Sequence, residues 1–370
     1  MIFFKIINKL KQQIVCMICC FSLVATAQYK DLTPQVEVSV MTCGAGDDLY
    51  ALFGHTALRF YDPSQQIDVV FNYGMFDFDT PNFYAKFIKG DLLYKLDVDR
   101  YSDFISYYTY KDRTVVEQKL NLTFEQKEDI WFDLWNQLQS EERYYQYQFI
   151  RNNCTTKVAD MITKHSNYTF NTSFEGNDLS FRELLNQYLQ LQYFAQLGVN
   201  IIFGKDVDQL NNLLFLPEQF MSGISYTKGI EKSKEIKFQS NVDRYNKLQW
   251  GKWLFFICIP LIIYFSYKKW VRNSYYILIG LIGVLIAFLH FYSLHTELHY
   301  NAVFLLFNPL YLIFAIKNFQ KKGFFSALTI LSLLGLCFLS VETLTILLPL
   351  LLLHFLVLLK EWKSYKKISL

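Results

Sequence analysis

Residues 152–165 read NNCTTKVADMITKH, and residues 53–61 read FGHTALRFY. The first stretch has helical spacing, with Val158, Met161 and Ile162 on one apolar face and Asn152 or Asn153 placed to cap it. The second alternates as a strand does, and starts just after Gly54, which permits close backbone approach. A cysteine in the first turn of a helix is stabilised as thiolate by the aligned peptide dipoles. A nearby imidazole lowers the thiol pKa further and serves as general base. A histidine on a strand, followed about 100 residues later by a cysteine at a helix start, predicts an α+β domain in which Cys154 faces His55 across the sheet.

Working outward, Val36–Val40, Thr56–Tyr61, Val69–Tyr73, Leu92–Val98 and Thr114–Leu120 read as strands, with Asp62-Pro63-Ser64 as a turn joining the second and third. Glu125–Gln139 reads as a helix carrying Ile130, Trp131, Leu134, Trp135 and Leu138 on one face. The order of histidine strand and cysteine helix is that of a permuted papain-like fold. A third residue, orienting the imidazole, is expected on the strand after it. Asn72 is the best placed, with Asp77 and Asp79 nearby and Tyr73 pointing to the other face. Candidate substrate contacts beside these groups are Tyr73, Asn153 and Arg151. The oxyanion would meet the Cys154 N–H and one further donor. Plainer roles compete. Cys43 and Cys154 suit a disulfide in an oxidising compartment. Cys154 also suits an inert buried thiol, and His55 a satisfied core histidine. His165 suits a partner for the helix dipole.

Composition shows three segments with three solvents. The 370-residue chain has 36 Lys+Arg against 33 Asp+Glu, a net charge of +3, too small to suggest a nucleic-acid partner. Apolar residues make up 52% and charged ones 19%, which excludes a disordered chain and fits poorly with a wholly soluble one. Lys5, Lys9 and Lys11, an apolar run from Ile14 to Val24 and Ala25-Thr26-Ala27 form a secretory signal peptide, residues 1–27. An uncleaved anchor and a lipobox at Cys19 or Cys20 are the alternatives. Residues 28–225 are then an exported domain and 226–250 a charged linker. Residues 251–370 read as an all-α membrane domain with five spans, about 252–267, 274–293, 300–316, 323–341 and 343–359. Lysines and arginines follow the first, third and fifth spans only, so the C-terminus is expected in the cytoplasm and the exported domain in the periplasm. Asn308-Pro309 should break the third span. Residues 293–301, SLHTELHYN, alternate His295, Glu297 and His299, which is a possible metal-ligand pattern but also an ordinary polar loop.

At FGHTALRFYDP, VVFNYGMFDFDTPNFYAKFIKGDLLYKL, YQYQFIRNNCTTKVADMI, LGVNIIFGKDVDQ, LFLPEQFM and HTELHYNAVFLLFNPLYLI, the sequence resembles the Lnb-type bacterial lipoprotein N-acyltransferases. That family often has an acidic residue where Asn152 stands and Arg where Lys157 stands. A broader likeness is to permuted NlpC/P60 and lecithin:retinol acyltransferase-like (LRAT-like) enzymes. The resemblance implies no cofactor and no metal. It implies a Cys154 thioester, His55 as base, a phospholipid acyl donor and a diacylglyceryl-cysteine lipoprotein acceptor at the bacterial inner membrane. Two other classes fit the same residues: a membrane-anchored NlpC/P60-like thiol peptidase or cell-wall hydrolase, and a non-enzymatic envelope assembly protein. The five spans favour the acyltransferase, since a wall hydrolase needs at most one anchor.

Overall fold

The computed structural model describes residues 30–77, 79–172, 178–190, 192–227, 234–240, 250–316 and 321–368. The signal peptide expected over residues 1–27 lies outside them.

Seven antiparallel strands form one sheet in the order β6-β4-β3-β2-β1-β5-β7. They are β1 Glu37–Cys43, β2 His55–Asp62, β3 Ile67–Met75, β4 Leu93–Arg100, β5 Val115–Lys119, β6 Tyr144–Gln146 and β7 Lys234–Phe238. The five strands expected from alternation are all present. The β2–β3 hairpin closes at residues 62–66, where the Asp62 carboxylate accepts the Ser64 N–H at 3.0 Å and the Thr33 N–H at 2.6 Å. Strand alternation gives the sheet two apolar faces. Val38, Val40, Leu58, Phe60, Phe71 and Tyr73 lie on one, under helices α3 (Phe124–Gln139) and α4 (Cys154–His165). Met41, Ala57, Val70 and Val115 lie on the other, against Phe104 and Tyr108 of α2 (Tyr101–Tyr110). Helix α1 is Phe83–Lys89.

Helix α3 starts where Thr123 and Gln126 form a reciprocal capping box. Its stripe of Ile130, Trp131, Leu134 and Trp135 is buried, and Trp131 stands 5.1 Å from the Phe60 ring and 5.6 Å from Phe71. Burying each such side chain contributes roughly 1.5–3 kcal/mol.

The segment expected as a linker over 226–250 contributes an edge strand instead. β7 pairs with β5, and its Lys237 ammonium lies 2.9 Å from the buried Glu117 carboxylate. Glu117 also takes Arg59, at 3.1 Å. A buried carboxylate shared by two cations draws this charged segment back onto the sheet.

The following helices are α5 Phe181–Tyr188, α6 Tyr193–Ile202, α7 Pro217–Tyr226, α8 Trp250–Phe265, α9 Lys269–Tyr292, α10 Val303–Leu306, α11 Leu310–Ala315, α12 Lys322–Leu336 and α13 Val341–Ile368. Among the described residues, three helical stretches are long and apolar enough to cross a membrane: Lys269–Tyr292, Thr296–Ala315 and Val341–Tyr365. Phe255–Phe265 and Lys322–Leu336 are apolar but shorter. The second long stretch is interrupted between α10 and α11, as Asn308-Pro309 leads one to expect. Asn308 repairs the break, accepting the Leu310 N–H at 3.1 Å and donating to the Leu305 carbonyl at 3.2 Å.

Helix α6 shares a core with the apolar helices. Tyr193 of α6 stands 5.7 Å from Phe255 and 5.5 Å from Phe256 of α8. The 293–301 loop is fastened to the exported part from below. Leu294 N–H donates to the Lys89 carbonyl at 2.7 Å and Ser293 Oγ to the Ile88 carbonyl at 2.8 Å. The Glu297 carboxylate accepts the Ile150 N–H at 2.9 Å, and Gly204 N–H donates to the Glu297 carbonyl at 2.7 Å.

Candidate functional site

His55 opens β2 and Cys154 opens α4, and the two elements are pinned where the buried hydroxyls of Thr56 and Thr155 lie 3.0 Å apart. Two glycines allow the approach. Gly54 has φ +89°, and a Cβ there would stand 2.4 Å from the Cys43 carbonyl oxygen. Gly74 has φ +85° at a bulge between β3 and β4, and its Cβ would meet that of Cys154 at 3.5 Å. L-residues with side chains avoid this backbone region, so both positions demand glycine.

Asn153 is the cap of α4. Its Oδ1 accepts the N–H groups of Thr155 at 2.9 Å and Thr156 at 3.0 Å, while its Nδ2 donates to the carbonyls of Phe149 at 2.8 Å and Phe215 at 2.9 Å. The side chain is therefore fully engaged in holding the nucleophile-side turn, a role of about 1 kcal/mol for a cap of this kind.

The Cys154 thiol is partly buried. Burial by itself would raise its pKa. The charge and hydrogen bond of His55, the Thr56 backbone N–H and the Thr155 hydroxyl outweigh that effect, and the pKa lies below the ordinary thiol value. Cys43 contrasts with it. Both cysteines are free thiols, but Cys43 is buried in the sheet and burial pushes its thiol up to about 12. The environments of the two cysteines thus push their thiols in opposite directions.

Behind the imidazole stands a chain of hydrogen bonds. His55 Nε2 is 3.0 Å from Asn72 Oδ1. The Asn72 amide is oriented by its far end, because Nδ2 donates to Asp99 Oδ2 at 2.9 Å and to the Val70 carbonyl at 3.3 Å. An oxygen facing Nε2 requires the proton to sit on Nε2, which leaves Nδ1 as acceptor. The charge of the ring is the largest of the influences that lower the Cys154 thiol pKa. Burial, then the neighbouring Asp97 and Asp103 carboxylates, raise the Asp99 carboxyl above the usual carboxylate range.

His55, Asn72 and Asp99 line a cleft of about 440 Å³ on the α2 face of the sheet. Its remaining wall is largely aromatic, with Tyr50, Phe76, Phe104, Tyr107 and Tyr108. Gly74, which packs against Cys154, also lines it.

Cys154, His55 and Asn72 are thus brought together. His55 and Asn72 line the cleft, whereas Cys154 and the other candidates are not part of its wall. Tyr73 lies in the core on the opposite face, its hydroxyl donating to Gln137 Oε1 at 2.8 Å. Asn153 is spent on capping. Arg151 is exposed, with its guanidinium 6.0 Å from the Phe181 ring. The side chains of the 293–301 loop also turn apart. His295 Nε2 meets the Phe87 carbonyl at 3.1 Å, His299 Nε2 meets the Ser293 carbonyl at 2.9 Å, and Glu297 meets Ile150.

Residues 25–187 match the family model described as the Lnb N-terminal periplasmic domain. This part of the chain belongs to the Lnb family. The match takes in His55, Asn72, Asp99 and Cys154, and ends within α5, before the apolar helices. No curated protein and no solved structure matches the chain. The Lnb domain is by description periplasmic, and the three long apolar helices that follow it make the chain a membrane protein. Within the Lnb domain, sequence reasoning missed Asp99 and the Thr56 N–H. For Asp99 the signal was the alternation of Lys95, Asp97 and Asp99 with Leu96 and Val98. The pairing of Val70 with Asp99 then places that carboxylate beside Asn72. The Thr56 N–H carries no sequence signal, since every residue but proline has one.

Proposed function

We propose that the chain is a lipoprotein N-acyltransferase that works through a Cys154 thioester. The observation that carries this reading is the pairing of a thiol of lowered pKa with an imidazole held by Asn72, in a domain of the Lnb family. The histidine strand and the cysteine helix support a permuted papain-like relationship for the domain.

In the first half-reaction His55 takes the thiol proton. The Cys154 thiolate attacks an ester carbonyl of a phospholipid, forming C–S and breaking C–O, and the imidazolium returns the proton to the departing lysophospholipid alcohol. In the second, the α-amine of a diacylglyceryl-cysteine attacks the thioester. C–N forms, C–S breaks, and His55 takes the amine proton. The Cys154 N–H, which Asn153 does not take, and the Thr56 N–H are the proposed donors to the oxyanion. Asn72 and Asp99 act through the ring by holding its tautomer.

Five spans and a cytoplasmic C-terminus go with this reading. The 293–301 loop and the start of α13 contact the Lnb domain, the latter through Glu342 Oε2, which accepts from Asn186 Nδ2 at 3.4 Å. Arg272 and Glu361, at the other ends of α9 and α13, pair with each other at 2.5 Å. Both substrates are lipid-anchored, so a tethered site meets them at high effective concentration. A reporter active only after export, fused behind Leu370, should stay silent. Activity there would overturn the orientation.

The reaction is tested by the intact mass of a lipoprotein N-terminus from cells that lack any other N-acyltransferase, with and without this protein. The expected result is one additional acyl chain when the protein is present. Unchanged lipoprotein mass together with altered wall peptides would replace this reading with a thiol hydrolase.

A further inference from the structure

Arg113 stands between α2 and β5 and is only 5% exposed. Its Nε donates to the Gly44 carbonyl at 2.8 Å, and its guanidinium lies 4.8 Å from the centre of the Tyr108 ring. One terminal nitrogen, Nη2, is buried and has no hydrogen-bond partner among the described residues. No carboxylate there forms an ion pair with it. The acid whose charge it feels is Asp48, but Asp48 is exposed and taken by Lys111 at 3.3 Å and by the Tyr50 hydroxyl at 2.9 Å. The other nearby ionisable group, Cys43, is a neutral thiol at pH 7. An arginine cannot shed its proton, so this is a buried cation without a counter-charge, an arrangement that is costly unless something else supplies the anion.

Arg113 lines the same cleft as His55. Two carboxylates share that wall: Asp99 accepts from the neutral Asn72 amide at 2.9 Å, and Asp103 pairs with Arg100 at 2.9 Å. The cleft is thus an aromatic slot holding a guanidinium with one unpartnered nitrogen, next to His55. That suits an amphiphile with a phosphate head, because the guanidinium fork matches phosphate oxygens. We propose that Arg113 holds the phosphodiester of the acyl-donor glycerophospholipid in the first half-reaction. In such a lipid the phosphate is only a few bonds from the ester carbonyls, so anchoring the one brings the other toward Cys154. The proposal deepens the acyltransfer reading and rests on it for the identity of the lipid.

The test measures binding with the chemistry removed. Full-length Cys154→Ala protein in neutral detergent is titrated calorimetrically with short-chain phosphatidylglycerol, with diacylglycerol of the same chains, and with inorganic phosphate. The expected result is that adding Arg113→Gln weakens phosphatidylglycerol binding roughly 10- to 100-fold, the range for a charge-assisted pair. Arg113→Lys should retain part of it, and diacylglycerol binding should not change. Equal phosphatidylglycerol affinity with and without Arg113 overturns the proposal. Inorganic phosphate binding as tightly as the lipid overturns the lipid assignment in favour of a free anion. If Arg113→Gln does not fold, the comparison on Cys154→Ala alone decides, and equal affinity for the two lipids refutes it. Failure of acyl transfer would leave these binding results standing, so the two readings fail separately.

Discussion

Cys154→Ala protein should fold, bind lipid and transfer no acyl chain. The helix keeps its cap, since Asn153 and not Cys154 holds the first turn. Alanine is a good helix former and costs little at that position. Loss of the nucleophile should lower the rate by at least about 10³-fold, because proximity and oxyanion donors alone cannot complete a two-step transfer. The direct measurement uses purified wild-type protein and phospholipid without acceptor. The peptide containing Cys154 should gain the mass of one acyl chain, and hydroxylamine should remove it. A Cys154→Ala protein that still acylates lipoprotein would refute the thiol mechanism outright.

His55→Ala should cost roughly 10²–10⁴-fold, the usual worth of a positioned general base. It should also move the pH profile in a defined direction. In the wild type, burial raises the Cys154 pKa and His55 is the largest of the groups that pull it back down. Without His55 burial is opposed only by the Thr56 N–H and the Thr155 hydroxyl, so the thiol pKa rises. The thiolate fraction at neutral pH then falls, and the rising limb of rate against pH shifts to higher pH. Residual activity should therefore recover as the solution is made alkaline. The double variant should be no worse than Cys154→Ala alone, because the two groups act as one unit. Asn72→Ala and Asp99→Asn should cost less than His55→Ala, since they only hold the ring. An unshifted profile in His55→Ala would mean that the imidazole does not set the thiol's ionisation.

Much of this was legible before the structure. The β2 and α4 starts were readable because glycine before His55 and asparagine before Cys154 are local signals with local causes. The break at Asn308-Pro309 was readable for the same reason. Helix α2 was not, because its sequence, YSDFISYYTY, is rich in tyrosine and phenylalanine and looks strand-like. It becomes a helix by laying Phe104 and Tyr108 on the second face of the sheet. Strand β7 was hidden by its charge, whose explanation is Glu117, more than 100 residues away in sequence. The same limit applies to Asp99 and Arg113. Their significance lies in what surrounds them in space, and a reading of neighbours along the chain cannot supply it.

The 293–301 loop gives the apolar half of the molecule a part in the chemistry. Glu297 grips the backbone at Ile150, four residues before the nucleophile, and Gly204 grips Glu297 in turn. The apolar half is thus hydrogen-bonded to the segment that leads into α4, and acts on it as a strut rather than a bare tether. A chimera carrying the exported half on an unrelated anchor would remain at the membrane yet lose that strut. Delivery to the lipid surface and alignment with it are, in this molecule, separate properties, and only the second depends on which helices lie beneath.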